Sequence, residues 1–334
     1  MHAGDCQNSN QCGSKRSAFT LVEIMAATAI MVVVILVVMG LTSNVLTSWN
    51  RASGELSSNL EGRVALDLLA QDLESIVLKD DGNVWLDVRY RSIQGMNHQT
   101  HLMFFASVPD RPLRQVEGGS FVDIPGDVCA VQYLTQFKNP FASSGVNTVK
   151  LFGLYRAVVD AENTFKTAMN PASTSSVLPD HLMDFWAATA GFGSQAVDAG
   201  GQTVSAADFL TWATGQSNYL SSNIVDFRTV FYYRNANNQV KPLVDTAGNP
   251  LEFVYVNGVQ MRQSSGYVPL ADSEPGAQLQ YVDVTLTVLS DQGGRLLSSI
   301  IQGIDIGEDM NREQVLIEHA STYTRRIYLV SKPF

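Results

Sequence analysis

Residues 24–41 form an eighteen-residue stretch with no charged side chain. A helix of that length spans about 27 Å, close to the hydrocarbon thickness of a bilayer. Residues 19–22 can lengthen it. Beyond it, Val45, Trp49, Ala52, Leu56, Leu60, Val64, Leu68, Leu69, Leu73 and Ile76 recur at spacings of three and four, with polar residues between them. That period predicts an amphipathic helix. The two stretches read as one helix from Phe19 to about Leu78, membrane-bound in its first half and packed on a globular head in its second. Gly54 and Gly62 weaken it by about 1 kcal/mol each, and "KDDGN" (79–83) is the turn that stops it. Arg63, Asp67 and Asp72 are expected on its solvated face.

From residue 84 the period changes from near four to two. "VWLDVRY" (84–90), "THLMFFASV" (100–108), "DVCAVQYLTQF" (127–137) and "VKLFGLYRAVVD" (149–160) read as strands, as do "VDFRTVFYYRN" (225–235), "LEFVYVNG" (251–258) and "LQYVDVTLTVLSD" (279–291). "DQGGR" (291–295) reads as a hairpin turn after the last of these. Residues 161–222 are an Ala/Ser/Gly-rich insertion. Within it "HLMDFWAATAGF" and "SAADFLTWATG" suggest two short helices, the second capped by Ser205. "NREQVLIEHASTYTRRIYLVSKPF" (311–334) forms a C-terminal extension. A helix followed by a run of antiparallel strands is an α+β layout. The expected fold is a long N-terminal transmembrane and stalk helix on an antiparallel β-sheet head, with a partly helical insertion. The segments are 1–18, 19–41, 42–78 and 79–334, the last containing the insertion.

Charge orients this picture. Lys15 and Arg16 lie just before the apolar run, and no cation follows it until Arg51. The positive-inside bias leaves the N-terminus in the cytoplasm and the head outside. A cleaved secretory signal would have a shorter apolar core and small residues at its end; "VVMGLTSN" (37–44) fits that poorly. Such cleavage would put the mature terminus near Leu41. The 334-residue chain carries a net charge of -10 and no Lys/Arg cluster larger than a pair, so binding to nucleic acid through its phosphates is not expected. Cys6, Cys12 and Cys129 are the three cysteines. Without the first eighteen residues only Cys129 remains, and it is expected buried and inert.

No motif of catalysis emerges: no G-x-S-x-G, P-loop, H-E-x-x-H or EF-hand loop. The chain is not expected to be an enzyme, nor to hold a metal or other cofactor. The histidines are His2, His98, His101, His181 and His319. "HQTH" (98–101) has two metal-capable side chains but enters a strand and has no clear third ligand nearby. Asp80 and Asp81 read as a polar turn rather than a calcium loop. Phe104, Phe105, Tyr232 and Tyr233 read as sheet packing rather than a ligand platform. Of the adjacent tyrosines at most one reaches the core, because neighbours on a strand face opposite ways.

One residue of the apolar segment stands out. Glu23 is a carboxylate at the head of a run built for oil, where such a group costs about 3 kcal/mol mid-membrane and less near the interface. With its surroundings, a short basic leader, a small residue, then "FTLVEIMAATAIMVVVI" (19–35), it resembles the type IV pilin and pseudopilin superfamily. The resemblance implies that prepilin peptidase cuts between Ala18 and Phe19 on the cytoplasmic side and N-methylates Phe19. It implies that Glu23 is the assembly glutamate, meeting the new terminal amine of a neighbouring subunit. The amine is mostly protonated at neutral pH, so the pair neutralises both charges inside an apolar bundle and fixes the stagger. The family nearly always has Gly before the cut, where this chain has Ala18. Gly40 stands where major pilins often carry a helix-breaking proline. The strands "VQYL" (131–134) and "LFGLYRAVVD" (151–160), and the later "YVDVTLTVLSDQGG" (281–294), are similar to those of J-class minor pseudopilins. The long head and the Arg325–Arg326 ending most resemble the prepilin-type cassette proteins known from Verrucomicrobia (Verru_Chthon cassette protein C). The implied function is a minor pseudopilin or pilin-like structural subunit of a type II secretion-like pseudopilus or type IV pilus-like fibre. It would be single-pass in the bacterial inner membrane with a periplasmic or extracellular head, and its partners would be prepilin peptidase and other pilin subunits. The alternative is a membrane-anchored extracytoplasmic binding protein or enzyme that uses the helix only as a tether.

Overall fold

A computed structural model describes residues 20–80, 84–108, 113–117, 120–124, 128–140, 150–159, 161, 164, 196–197, 203–204, 216–235, 237–263, 266–270, 277–304 and 310–329. The chain divides into two units, Met1–Ala52 and Ser53–Phe334. Helix α1 (Leu21–Glu74) runs through both. In the first unit its side chains are exposed, and its most apolar eighteen-residue window has a mean hydropathy of 2.9 with nothing buried. Among the described residues it is the one helix long and apolar enough to cross a membrane.

The second unit is built of antiparallel strands. An eight-stranded sheet has the order β14–β13–β12–β1–β2–β5–β6–β9. Its members are β1 (Leu86–Ile93), β2 (Met96–Ala106), β5 (Cys129–Lys138), β6 (Leu151–Val159), β9 (Tyr219–Ser222), β12 (Phe253–Tyr255), β13 (Val259–Gln263) and β14 (Gly266–Pro269). A four-stranded sheet has the order β11–β10–β15–β16, from β11 (Val240–Pro242), β10 (Ile224–Arg234), β15 (Gln278–Leu289) and β16 (Ala320–Tyr328). Two small hairpins complete the described strands: β3 (Leu113–Glu117) with β4 (Ser120–Ile124), and β7 (Ala196–Val197) with β8 (Thr203–Val204). The layout is α+β, as the change of hydrophobic period predicts. The insertion's two expected helices and the Ser205 cap lie outside the described residues.

Three expectations about local structure are corrected. The first concerns "DQGGR", which opens helix α2 (Asp291–Gln302) instead of turning a hairpin. Ser290 caps it, its side chain accepting from the Gly293 N–H at 3.2 Å. The paired glycines serve close packing. A Cβ on Gly293 would lie 2.4 Å from that of His319, and one on Gly294 would lie 2.1 Å from Asn223 Oδ1. The C-terminal residues, for their part, are integral. After helix α3 (Arg312–His319), which starts with a capping box between Asn311 and Gln314, β16 pairs with β15 along nine residues.

The second correction is to α1. It ends at Glu74 because residues 75–77 join the large sheet: Ile76 bridges Ala106, and Val77 N–H donates to Phe105 O at 2.8 Å. The face that meets the head is Ser58, Gly62, Ala65, Leu66, Leu69, Ala70 and Leu73. Leu56, Leu60 and Val64, expected against the head, are 62, 56 and 62 % exposed. Small residues explain the choice. Gly62 allows β15 so close that a Cβ there would stand 2.7 Å from Val288 Cγ2.

The third is Asp72, which does not face solvent. It is buried among strands of the large sheet. Arg156 on β6 grips it in a bidentate pair, Nε to Oδ2 at 2.7 Å and Nη2 to Oδ1 at 2.9 Å. Tyr133 Oη on β5 donates to Oδ2 at 2.5 Å. Arg63 and Asp67 are exposed as expected, Asp67 paired with Arg325 of β16.

The two sheets join edge to face. The main-chain edge of β10 that points away from β15 is met by side chains of β1 and β2. Gln99 Nε2 donates to Val225 O at 2.7 Å, and Gln99 Oε1 accepts from the Phe227 N–H at 3.1 Å. Thr100 Oγ1 accepts from Thr229 N–H at 3.0 Å, and Tyr90 Oη donates to Thr229 O at 2.8 Å. Side chains thus take the place of a further strand on an otherwise open edge. Burial raises the Tyr90 hydroxyl well above its ordinary pKa, so it stays a donor.

Candidate functional site

The head of α1 is organised by a reciprocal capping box. Thr20 precedes the helix. Its Oγ1 accepts from the Glu23 N–H at 3.3 Å, while Glu23 Oε2 accepts from the Thr20 N–H at 2.9 Å and from Thr20 Oγ1 at 3.1 Å. This is the S/T-x-x-E pattern, and it satisfies two of the main-chain donors that every helix start leaves open. The carboxylate therefore has a partner in its own chain. Oε2 is engaged and, among the described residues, Oε1 is not, so one oxygen stays available to a cation. Ala18 and Phe19 lie outside the described residues.

Below the cap the exposed surface of α1 is apolar all round: Leu21, Val22, Ile24 and Met25 at the start, Val38, Met39 and Leu41 further on. A helix apolar on every side suits lipid or a bundle core, not water. Past Thr42 the apolar surface narrows to a stripe. Val45, Trp49, Leu56, Leu60 and Val64 are all more than half exposed. Their spacings of four, seven, four and four keep them on one side of a helix. The opposite side of the 53–74 portion carries Gly62, Ala65, Leu69 and Leu73 into the head. The stalk thus has two apolar faces, one covered by its own head and one bare.

In the head, the candidates for chemistry resolve into packing. Cys129 is buried; Cys6 and Cys12 lie outside the described residues. His101 is buried and bonds Gln132 through Nε2. Burial, with the nearby Arg91 and Arg89, holds its pKa down at about 3, so it is neutral. His98 is on β2 and His319 is buried against Ser290 Oγ at 3.2 Å. His2 and His181 lie outside the described residues. Among the described residues no three His, Cys, Asp or Glu side chains come together as a metal site. Asp80 follows the helix in an irregular stretch; Asp81 lies outside the described residues.

Phe104 and Phe105 are both core, since both faces of β2 are covered. Tyr233 is buried and Tyr232 is not, as strand geometry requires. Tyr232 stacks on Tyr281 of β15 at 4.4 Å, and Arg326, in a bidentate pair with Asp283, lies 4.2 Å from the Tyr281 ring centre. The rings stand against one another and are spent on holding the sheet together.

Comparison with models of known protein families, with curated proteins and with solved structures finds no match.

Proposed function

We propose that the chain is a pilin-like structural subunit, held in a membrane by residues 19–41 and assembled into a helical bundle through the whole of α1. In this reading prepilin peptidase frees Phe19, the new amine pairs with the spare Oε1 of a neighbour's Glu23, and the head stands on the side opposite Lys15 and Arg16. The bare stripe of Leu56, Leu60 and Val64 is the observation that carries it. A tether needs an apolar surface only as long as the bilayer, and past that a second apolar face gains nothing from water. A subunit that packs against its neighbours along the stalk needs that face.

The capping box favours the rival, an anchored extracytoplasmic binding protein, because it gives Glu23 a task within its own chain. Both readings can be tested on the full-length protein in its native membrane. Intact mass would report a terminus at methylated Phe19, and cross-linking between stalk cysteines would report assembly. Assembly predicts that Glu23→Leu leaves cleavage intact but abolishes cross-links, and that Leu60→Ser weakens them about tenfold or more. An uncut Met1 terminus, or cross-links indifferent to both substitutions, would leave the tether.

A further inference from the structure

The large sheet is split. Strands β2 and β5 pair only from Leu102↔Tyr133 to Ala106↔Cys129. Beyond that point residues 96–101 still pair with β1, and residues 134–138 still pair with β6, but no ladder bond joins them to each other. Their facing main-chain edges diverge around a cleft of about 290 Å³, at the small end of ligand-pocket sizes. Gln99 and Thr135 line it and are committed: Thr135 Oγ1 donates to Gln99 Oε1 at 3.1 Å, and Gln99 holds β10.

Three lining side chains keep polar atoms to spare. Among the described residues Arg91 makes no ion pair within 4 Å, and Gln136 makes no hydrogen bond. The buried His101 bonds through Nε2, while its Nδ1 is buried with no partner. The guanidinium of Arg91 is in addition poorly stabilised. Burial first, then the like charge of Arg89, lowers its pKa, and Glu252 offsets this in part while its own Oε1 accepts from Tyr90 N–H at 3.0 Å. At the rim the β1–β2 turn places Gln94 at φ 52°, a costly conformation for a residue with a side chain. Arg312 Nη1 holds it there by donating to Gln94 O at 2.9 Å.

An opened ladder offers main-chain donors and acceptors to an extended segment, and a guanidinium with no direct ion pair at its mouth offers a seat for a terminal charge. We propose that this cleft binds the carboxyl-terminal end of an extended polypeptide, its main chain on the open edges of β2 and β5 and its terminal carboxylate on Arg91, with Gln136 and His101 Nδ1 completing the polar contacts. The size admits a terminal residue or two. Such binding requires nothing of α1, so its outcome and the processing of Phe19 can be scored independently on one preparation.

The test uses the full chain in detergent micelles and isothermal titration with N-acetyl-trialanine as the free acid and as the C-terminal amide. The free acid should bind at least about tenfold more tightly than the amide, since a buried charge-assisted pair is lost in the second. Arg91→Gln should erase the difference, and Arg326→Gln, on the outer face of the other sheet, should keep it. Equal binding of acid and amide, no binding of the acid at millimolar concentration, or an undiminished preference in Arg91→Gln would overturn the proposal. So would acetate binding as tightly as the tripeptide, which would make the cleft a simple anion seat. The wild-type comparison of acid with amide needs no variant to fold.

Discussion

Replacing Asp72 by alanine is the sharpest probe of how the stalk is fixed to the head. The carboxylate is 2 % exposed and takes three charge-assisted or short hydrogen bonds, two from Arg156 and one from Tyr133. Removing it strips a 6 % exposed guanidinium of both these bonds and leaves the Tyr133 hydroxyl without its acceptor. Breaking one side of a buried pair costs about 3–5 kcal/mol. Against a typical stability of about 5–15 kcal/mol, that is a large share of the whole. The measurement is urea unfolding of the full chain in detergent, followed by near-ultraviolet circular dichroism, for wild type, Asp72→Ala, Arg156→Met and the double variant. The double variant should be more stable than Asp72→Ala, because an apolar replacement also removes the buried charge that has lost its bidentate carboxylate. Added salt should change none of these differences much, since the pair is shielded from ions. A loss below about 1 kcal/mol for Asp72→Ala, the size of a surface ion pair, or a double variant that merely sums the single losses, would refute the reasoning.

Two other outcomes follow from the head. Gly62→Ala should destabilise by about 1–3 kcal/mol through overpacking on Val288, whereas Gly54→Ala, whose Cβ would meet nothing closer than Asp291 at 3.8 Å, should stabilise by about 0.5–1 kcal/mol; thermal melts of both variants check the opposite signs. Because the folded His101 has a pKa near 3 against 6.5 for the free side chain, the unfolded chain binds more protons between those values. Stability should therefore fall as pH drops from 6.5 toward 3, on the order of 3 kcal/mol of it by pH 4, and His101→Gln should flatten that part of the urea midpoint-versus-pH curve.

Much of the architecture is legible along the chain. The alternation in residues 84–90, 225–235 and 279–289 marks strands, and it even separates Tyr232 from Tyr233. What resists reading is which neighbour claims a face. Leu56, Leu60 and Val64 satisfy the helical period as well as Ala65, Leu69 and Leu73 do, because a wide apolar helix presents two overlapping stripes. Only the small Gly62, meeting a strand more than two hundred residues later, decides between them. Asp72 looks solvated because its partner Arg156 is distant in sequence, and nothing local marks it as buried. "DQGGR" misleads for a related reason: paired glycines signal a turn, yet here they admit His319 and Asn223 at close range. Thr20 and Glu23 show the reverse. Their three-residue spacing is a readable capping signal, overshadowed by the more conspicuous presence of an acid beside an apolar run. The split between β2 and β5 leaves no trace in the alternation, since both strands keep their period while their ladder opens.

The late position of β16 bears on biogenesis. Residues 320–328 furnish Tyr323 beneath Gly62 and Arg63, Arg325 for Asp67, and the full edge of β15. A nascent chain emerging from the ribosome with α1 first lacks these partners for the stalk until residues 320–328 have been translated. Contacts of such high sequence separation slow folding and leave sticky intermediates exposed. Nascent chains stalled short of residue 320 should thus depend on chaperone protection, and a stop codon placed just before residue 320 should be as damaging as ones far upstream.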